Sequence, residues 1–203
     1  DKLFEKIKPY APSEVNLLVF NPSQEATNTS DEKVRFANYN QIGDALSKSI
    51  QKYKDQFKVI NVRWMPYCML KGHEEHVRTM WQKMYEDKEW DPYLNIKHNL
   101  GIFPVVGAFI AGLVVYPFRA PRYNKRGLYT KFNEVLSTYR QLHYYKHLKP
   151  CSECSLKKIC PGLPKDYVEK FDKTELKPYS GEVIQDPLHF CKKYEHKFTS
   201  LRL

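Results

Sequence analysis

Lys58-Val59-Ile60-Asn61-Val62-Arg63-Trp64-Met65, closed by Pro66, is the stretch that decides the fold. Its β-branched core, Val59, Ile60 and Val62, forms a short apolar run bounded by a strand breaker, which reads as a buried strand. Upstream, Tyr39 to Phe57 places Ile42, Leu46, Ile50 and Tyr53 at spacings of four, four and three, one face of a helix. Before that helix, Val15-Asn16-Leu17-Leu18-Val19-Phe20 is a second short apolar run, closed by Asn21-Pro22, and Gln24 to Asp31 is polar and loop-like. Strand, helix, strand with a crossover of this length predicts a right-handed parallel unit. Two parallel strands and one helix do not make a stable sheet, so the unit reads as the tail of a larger α/β assembly. Lys2 to Lys8 reads as a helix end, stopped by Pro9 and Pro12.

Downstream, His73 to Met84 is expected to be a helix with Val77, Met80, Trp81 and Met84 as an apolar stripe that serves the core. His73 and His76 lie three apart on it and are expected on its solvated face. Gly101 to Phe118 carries no charge over 18 positions. A membrane-spanning helix needs about 20 apolar residues, and Pro104, Gly107, Gly112 and Pro117 interrupt this one. Buried core or the wall of a hydrophobic pocket is the expectation, without a membrane span. A basic, aromatic helix is expected from about Leu128 to Leu148, where Pro150 stops it and delivers the chain into a cysteine cluster.

Cys151, Cys154 and Cys160 stand as Cys-x2-Cys-x5-Cys, followed by Pro161-Gly162-Leu163. Thiols at this spacing can fold around one metal centre, with the Pro-Gly pair turning the backbone after the third ligand. Thiolate suits zinc and iron–sulfur clusters, and both want a fourth ligand. Cys68 and Cys191 are the two other cysteines, so a set of four is available within the chain.

The 203 residues suffice to bury a core, and a composition of 42% hydrophobic and 28% charged residues is ordinary for a soluble protein. An odd, clustered set of five cysteines, in a chain that opens without a signal-peptide pattern, favours a reducing cytoplasm and metal binding over a disulfide scaffold. The net charge of +10 could attract nucleic acid, an anionic substrate or an acidic partner. The lysines are scattered, however, and suit plain solubility equally well.

In order along the chain, these features resemble a known family. The strand ending Phe20-Asn21-Pro22, the helix, and the strand Val62-Arg63-Trp64-Met65-Pro66-Tyr67-Cys68 resemble the fifth and sixth βα units of radical S-adenosylmethionine enzymes. Gly72-His73-Glu74, Tyr85 and Glu89-Trp90-Asp91-Pro92 continue the likeness. The triplet, with Ile159-Cys160-Pro161-Gly162-Leu163, Tyr167, Pro178-Tyr179-x-Gly181 and Asp186-Pro187, looks like the auxiliary cluster extension of that superfamily, of the SPASM or twitch type.

The resemblance implies an α/β fold: the C-terminal βα units of a partial (β/α) barrel over residues 1–92, then a mostly helical cysteine-rich extension over 93–203. It implies a [4Fe–4S] cluster on Cys151, Cys154 and Cys160, with Cys68 preferred over Cys191 as fourth ligand because it follows a strand end at the barrel rim. Leu156, Ile159 and Leu163 would supply a dry shell. S-adenosylmethionine would lie against Asn16, Asn21 and the strand edge of Val62, Arg63 and Met65, and the substrate would be a peptide or small organic molecule. One departure matters: the family's reactive cluster needs Cys-x3-Cys-x2-Cys, and only one cysteine precedes residue 151 here. The resemblance therefore implies either the C-terminal half of a split or truncated enzyme, with its N-terminal half in the same gene or a separate chain, or a chain that has lost the chemistry; the half is the preferred reading. Two other classes fit the cysteines and charge: a zinc-holding, nucleic-acid-binding module, and a scaffold or interaction domain that docks a partner helix or a membrane through Gly101 to Phe118.

Overall fold

The computed structural model describes residues 2–19, 38–83, 140–171 and 176–191, together with 103, 106, 107, 110, 137 and 138. Strands β1 (Glu14–Leu18) and β2 (Val59–Arg63) pair in parallel, with Val15 opposite Ile60 and Leu17 opposite Val62. Helix α1 (Lys2–Ile7) precedes them, and helix α2 (Tyr39–Tyr53) lies between them in the chain. The start of α2 is fixed by Asn38, whose Oδ1 accepts the Gln41 N–H at 2.9 Å and satisfies one of the unpaired donors of the first turn. Ile50 and Tyr53 are fully buried on its inner face, and Ile42 and Leu46 pack half-buried on the same core. Each fully buried side chain of this size stabilises the fold by about 1.5–3 kcal/mol. The expected strand, helix and strand are all present.

A third strand stands where a helix is expected. The segment from His73 to Lys83 is a 3-10 turn (Glu74–His76), strand β3 (Val77–Arg78) and a short helix α3 (Met80–Lys83), and Met84 lies outside the described residues. β3 pairs in parallel with β2, Val77 opposite Val62, giving the order β1-β2-β3. Two local causes overrule the helical pattern. The buried His76 places Nδ1 2.8 Å from the Ile60 carbonyl. Thr79 starts the helix afresh: its Oγ1 accepts the Trp81 N–H at 3.3 Å and its own N–H donates to Gln82 Oε1 at 2.9 Å, a reciprocal cap.

His76 is thus buried, at 2% exposure, instead of lying on a solvated face. Burial holds its pKa below the ordinary value, against the opposing pull of the Ile60 carbonyl and Glu75. The folded protein therefore prefers neutral His76. Its contribution to stability is complete above the unfolded value of about 6.5 and is lost as pH falls through the lower folded value. Thermal melts from pH 7 down to pH 5 should show a fall in midpoint that is smaller in His76→Gln. Equal slopes for the two proteins would count against this.

The cysteine-bearing segment shares the core of the sheet. One cluster joins Phe4, Val15, Ile60 and Leu70 with Leu148, Leu156, Ile159, Leu163 and Tyr167. The rings of Tyr39 and Tyr167 stack at 4.0 Å, and the Tyr39 N–H donates to the Tyr167 hydroxyl at 2.9 Å. The helix expected to reach Leu148 ends at residue 144. Tyr145–Lys146 instead forms β4, antiparallel to β5 (Leu163–Pro164), because the chain must turn there to lay Lys146 against the residues after Cys160.

In the apolar stretch, Phe103, Val106 and Ile110 are helical and exposed at 86%, 46% and 57%. Burial of the stretch is thus not found at these positions, whose spacing of three and four sets them on one side of a helix. Among the described residues no helix is long and apolar enough to cross a membrane.

Candidate metal centre

Each cysteine of the predicted set is placed by a short backbone turn. Cys68 lies in the 3-10 turn Tyr67–Met69, which begins at Pro66 just past the end of β2. Helix α2 braces this turn so closely that a Cβ on Gly43 would come 2.0 Å from the Met69 carbonyl oxygen. Cys151 lies in the 3-10 turn Lys149–Glu153, and Cys154 caps that turn, donating its N–H to the Cys151 carbonyl at 3.3 Å. Cys160 closes the next turn through its N–H to the Leu156 carbonyl at 3.0 Å. Its own carbonyl lies 3.0 Å from His147 Nε2 and accepts Gln141 Nε2 at 3.5 Å. Gly162 then adopts φ +90°, with the Lys146 carbonyl oxygen 2.5 Å from where a Cβ would sit.

These turns bring Cys68, Cys151, Cys154 and Cys160 to the wall of one pocket, with about 430 Å³ of empty space partly open to solvent. Leu156, Leu163 and Leu176 make much of the remaining wall, while Lys157 and His147 stand at it as the basic groups. Cys191 is buried in a separate turn, its N–H on the Leu188 carbonyl at 2.9 Å, and does not line the pocket.

Burial pushes the Cys68 thiol up to about 11, the neighbouring Cys151 and Cys154 add to the rise, and a backbone hydrogen bond from Lys177 opposes it. Burial likewise drives Cys160 up to about 12, against backbone hydrogen bonds from Gly162 and Tyr67. Cys151 is raised by burial and opposed by the Leu148 backbone and by Lys157. At Cys154 the Tyr179 N–H donates to Sγ at 3.5 Å. Backbone N–H donors thus meet the sulfurs, while burial opposes ionisation of Cys68, Cys151 and Cys160. That combination suits a thiolate-bound metal group.

Among the described residues no group of three or more His, Cys, Asp or Glu side chains is placed so as to hold a metal ion. Zinc bound to thiolates at about 2.3 Å would draw their sulfurs to roughly 3.8 Å from one another. A four-iron cube with one thiolate on each iron spreads its ligands more widely around a larger body. Four thiols on one pocket wall match the donor set of either centre, and either would have to draw them together.

Tyr179, named in the sequence only as part of Pro178-Tyr179-x-Gly181, ties this pocket to the sheet. The Tyr179 hydroxyl donates to Glu74 Oε1 at 2.6 Å and lies 3.2 Å from the Tyr67 carbonyl. Burial pushes the Glu74 carboxyl up, but the Tyr179 phenol and the Gly72 N–H outweigh it and hold the group below its usual value. The signal available was Pro178-Tyr179-x-Gly181, an aromatic in a turn next to the cysteines.

A second polar feature lies on the sheet itself. Parallel sheets are commonly apolar on both faces, yet one face here carries Glu14 and Asn16 from β1 and Asn61 and Arg63 from β2. Asn16 Oδ1 accepts Arg63 Nε at 2.9 Å and Asn61 Nδ2 at 3.2 Å, and the same Asn61 amide donates to Glu14 Oε1 at 2.8 Å. Asn61 is 1% exposed, and its Oδ1 has no hydrogen-bond partner among the described residues. At the carboxyl end of β2, Trp64 holds φ +69°, a strained conformation for a bulky side chain, and such strand ends are where α/β sheets bind ligands. Of the other residues expected to face S-adenosylmethionine, Val62 and Met65 are buried in the hydrophobic core, and Asn21 lies outside the described residues.

No protein-family model, curated protein or solved structure matches the chain. Function is therefore to be sought in the chemistry of the cysteine pocket and of the polar sheet face.

Proposed function

We propose that this chain is the C-terminal part of a radical S-adenosylmethionine enzyme, carrying an auxiliary [4Fe–4S] cluster on Cys68, Cys151, Cys154 and Cys160 and acting on a peptide or small organic substrate in the cytoplasm. The observation that carries this reading is the meeting of Cys68, at the end of a parallel strand, with a cysteine triplet that begins at position 151, in one apolar pocket. Clusters of this kind take thiolates in dry surroundings, with hydrogen bonds to sulfur. Leu156 and Leu163 keep water out, the Tyr179 N–H donates to Cys154, and the charge of Lys157 offsets that of the thiolates. When bound, the cluster would supply a one-electron relay beside the substrate.

The polar face of β1 and β2 supports the second half of the reading. It is the inner wall of an incomplete barrel, residues 1–92, whose remaining strands come from an N-terminal partner. Asn61 Oδ1 accepts a hydrogen bond from an amine or hydroxyl of the cofactor or substrate, and Arg63, steadied by Asn16 and Glu14, faces its carboxylate. Val62 and Met65 act from beneath, as packing that holds the strand in place.

By itself the chain should not cleave S-adenosylmethionine, since four thiolates leave a four-iron cluster no open site. After dithionite reduction, the purified 203-residue chain should yield no 5′-deoxyadenosine. The product should appear when a separately produced barrel half carrying Cys-x3-Cys-x2-Cys is added. Multiple turnovers by the chain alone would contradict the proposal, and would make the triplet the reactive site.

A further inference from the structure

We infer that Tyr179 and Glu74 form a latch that holds two of the four cysteine ligands in register and tunes the potential of the cluster they bind; the inference rests on the cluster reading above. Cys68 and the triplet come from different parts of the fold, so something must fix the span between them. Tyr179 contacts both ends of it. Its backbone N–H donates to Cys154 Sγ at 3.5 Å. Its hydroxyl lies 3.2 Å from the Tyr67 carbonyl, the peptide group that leads directly into Cys68.

The phenol is itself held. It donates at 2.6 Å to Glu74 Oε1, and the same oxygen accepts the Gly72 N–H at 2.8 Å, which anchors the carboxylate to the turn before β3. On the cysteine side, the Tyr179 carbonyl accepts the Ser155 N–H at 2.9 Å, and the Ser155 carbonyl accepts the Ile184 N–H at 2.9 Å. Ser155 adjoins Cys154, so the tyrosine backbone is bound to the ligand loop while its ring is bound to the sheet. A hydrogen bond to a cluster thiolate stabilises the reduced, more negative state and so makes the potential less negative. Loosening the phenol lets the Tyr179 N–H drift from Cys154 and removes that stabilisation.

The test compares the wild type with Tyr179→Phe, Glu74→Gln and Tyr167→Phe, each reconstituted anaerobically with iron and sulfide. The midpoint potential is read by redox titration, and iron release to a chelator is timed. Tyr179→Phe should shift the midpoint to a more negative potential and speed iron release about tenfold, the usual scale for losing an outer hydrogen bond at a metal site. Glu74→Gln keeps an acceptor oxygen for the phenol and should show no negative shift. Tyr167→Phe removes a buried hydroxyl away from the pocket, and should lower the melting temperature while leaving the midpoint in place. A wild type that takes up no iron would overturn the cluster reading and the latch together. A loaded wild type whose midpoint is matched by Tyr179→Phe, or a shift in Tyr167→Phe as large as that in Tyr179→Phe, would overturn the latch alone.

Discussion

Cys160→Ser should leave the reconstituted chain colourless, with iron falling from about four atoms per chain to roughly none. Cys160 is held from several sides. Its N–H is held by the Leu156 carbonyl, its carbonyl is bound by Gln141 and lies against the His147 ring, and its sulfur receives backbone hydrogen bonds from Gly162 and Tyr67. A serine hydroxyl there could not ionise in so dry a setting, and it offers iron a harder and poorer ligand. Cys191→Ser should keep the full colour, because that thiol lies in another turn. Absorption in the visible range and iron analysis of the two variants, prepared in parallel, decide the matter. Equal loss in both, or full retention in Cys160→Ser, would break the ligand assignment.

Gly162→Ala should cost the fold roughly 3 kcal/mol, from backbone strain and overpacking together. The residue sits at φ +90°, and the new Cβ would lie 2.5 Å from the Lys146 carbonyl oxygen and 2.9 Å from its carbon. Neither can give way without separating β4 from β5, and that separation also moves Cys160. For a chain of this length the loss corresponds to about 6–12 °C in melting temperature. Gly72→Ala is the control. Its φ of +88° is similar, but nothing lies within 4 Å of the added carbon, so only the strain remains, about 1 kcal/mol. Thermal melts of the two proteins should differ accordingly. Similar losses would mean that the close approach at Gly162 carries no weight.

The elements fixed by local pattern were legible in the sequence. The apolar runs at β1 and β2 and the four-four-three spacing of α2 depend on near neighbours; β2 and α2 lie within the expected segments, and β1 starts one residue early, at Glu14. β3 was hidden because Val77, Met80 and Trp81 are buried whether they follow a helix or a strand and a turn. The cap at Thr79 and Gln82 was the available sign that the helix begins only after Arg78. The grouping of Cys68 with the triplet could be anticipated from its place at a strand end, since strand ends in parallel sheets share one rim. Tyr179 could not be anticipated in the same way. Its partners Tyr67 and Glu74 lie 112 and 105 positions away, and no local pattern encodes such a contact. The polar sheet face was half visible. Asn16 and Arg63 were singled out, whereas Asn61 was hidden inside an apolar run.

The central claim is that four cysteines of this chain hold one iron–sulfur cluster, and metal and sulfide analysis of the anaerobically reconstituted wild type tests it most directly. About four irons and four sulfides per chain should be retained through gel filtration, and the reduced protein should give a paramagnetic signal that disappears in Cys68→Ser and persists in Cys191→Ser. One zinc per chain with no iron or sulfide, or a cluster that survives Cys68→Ser unchanged, would contradict the account.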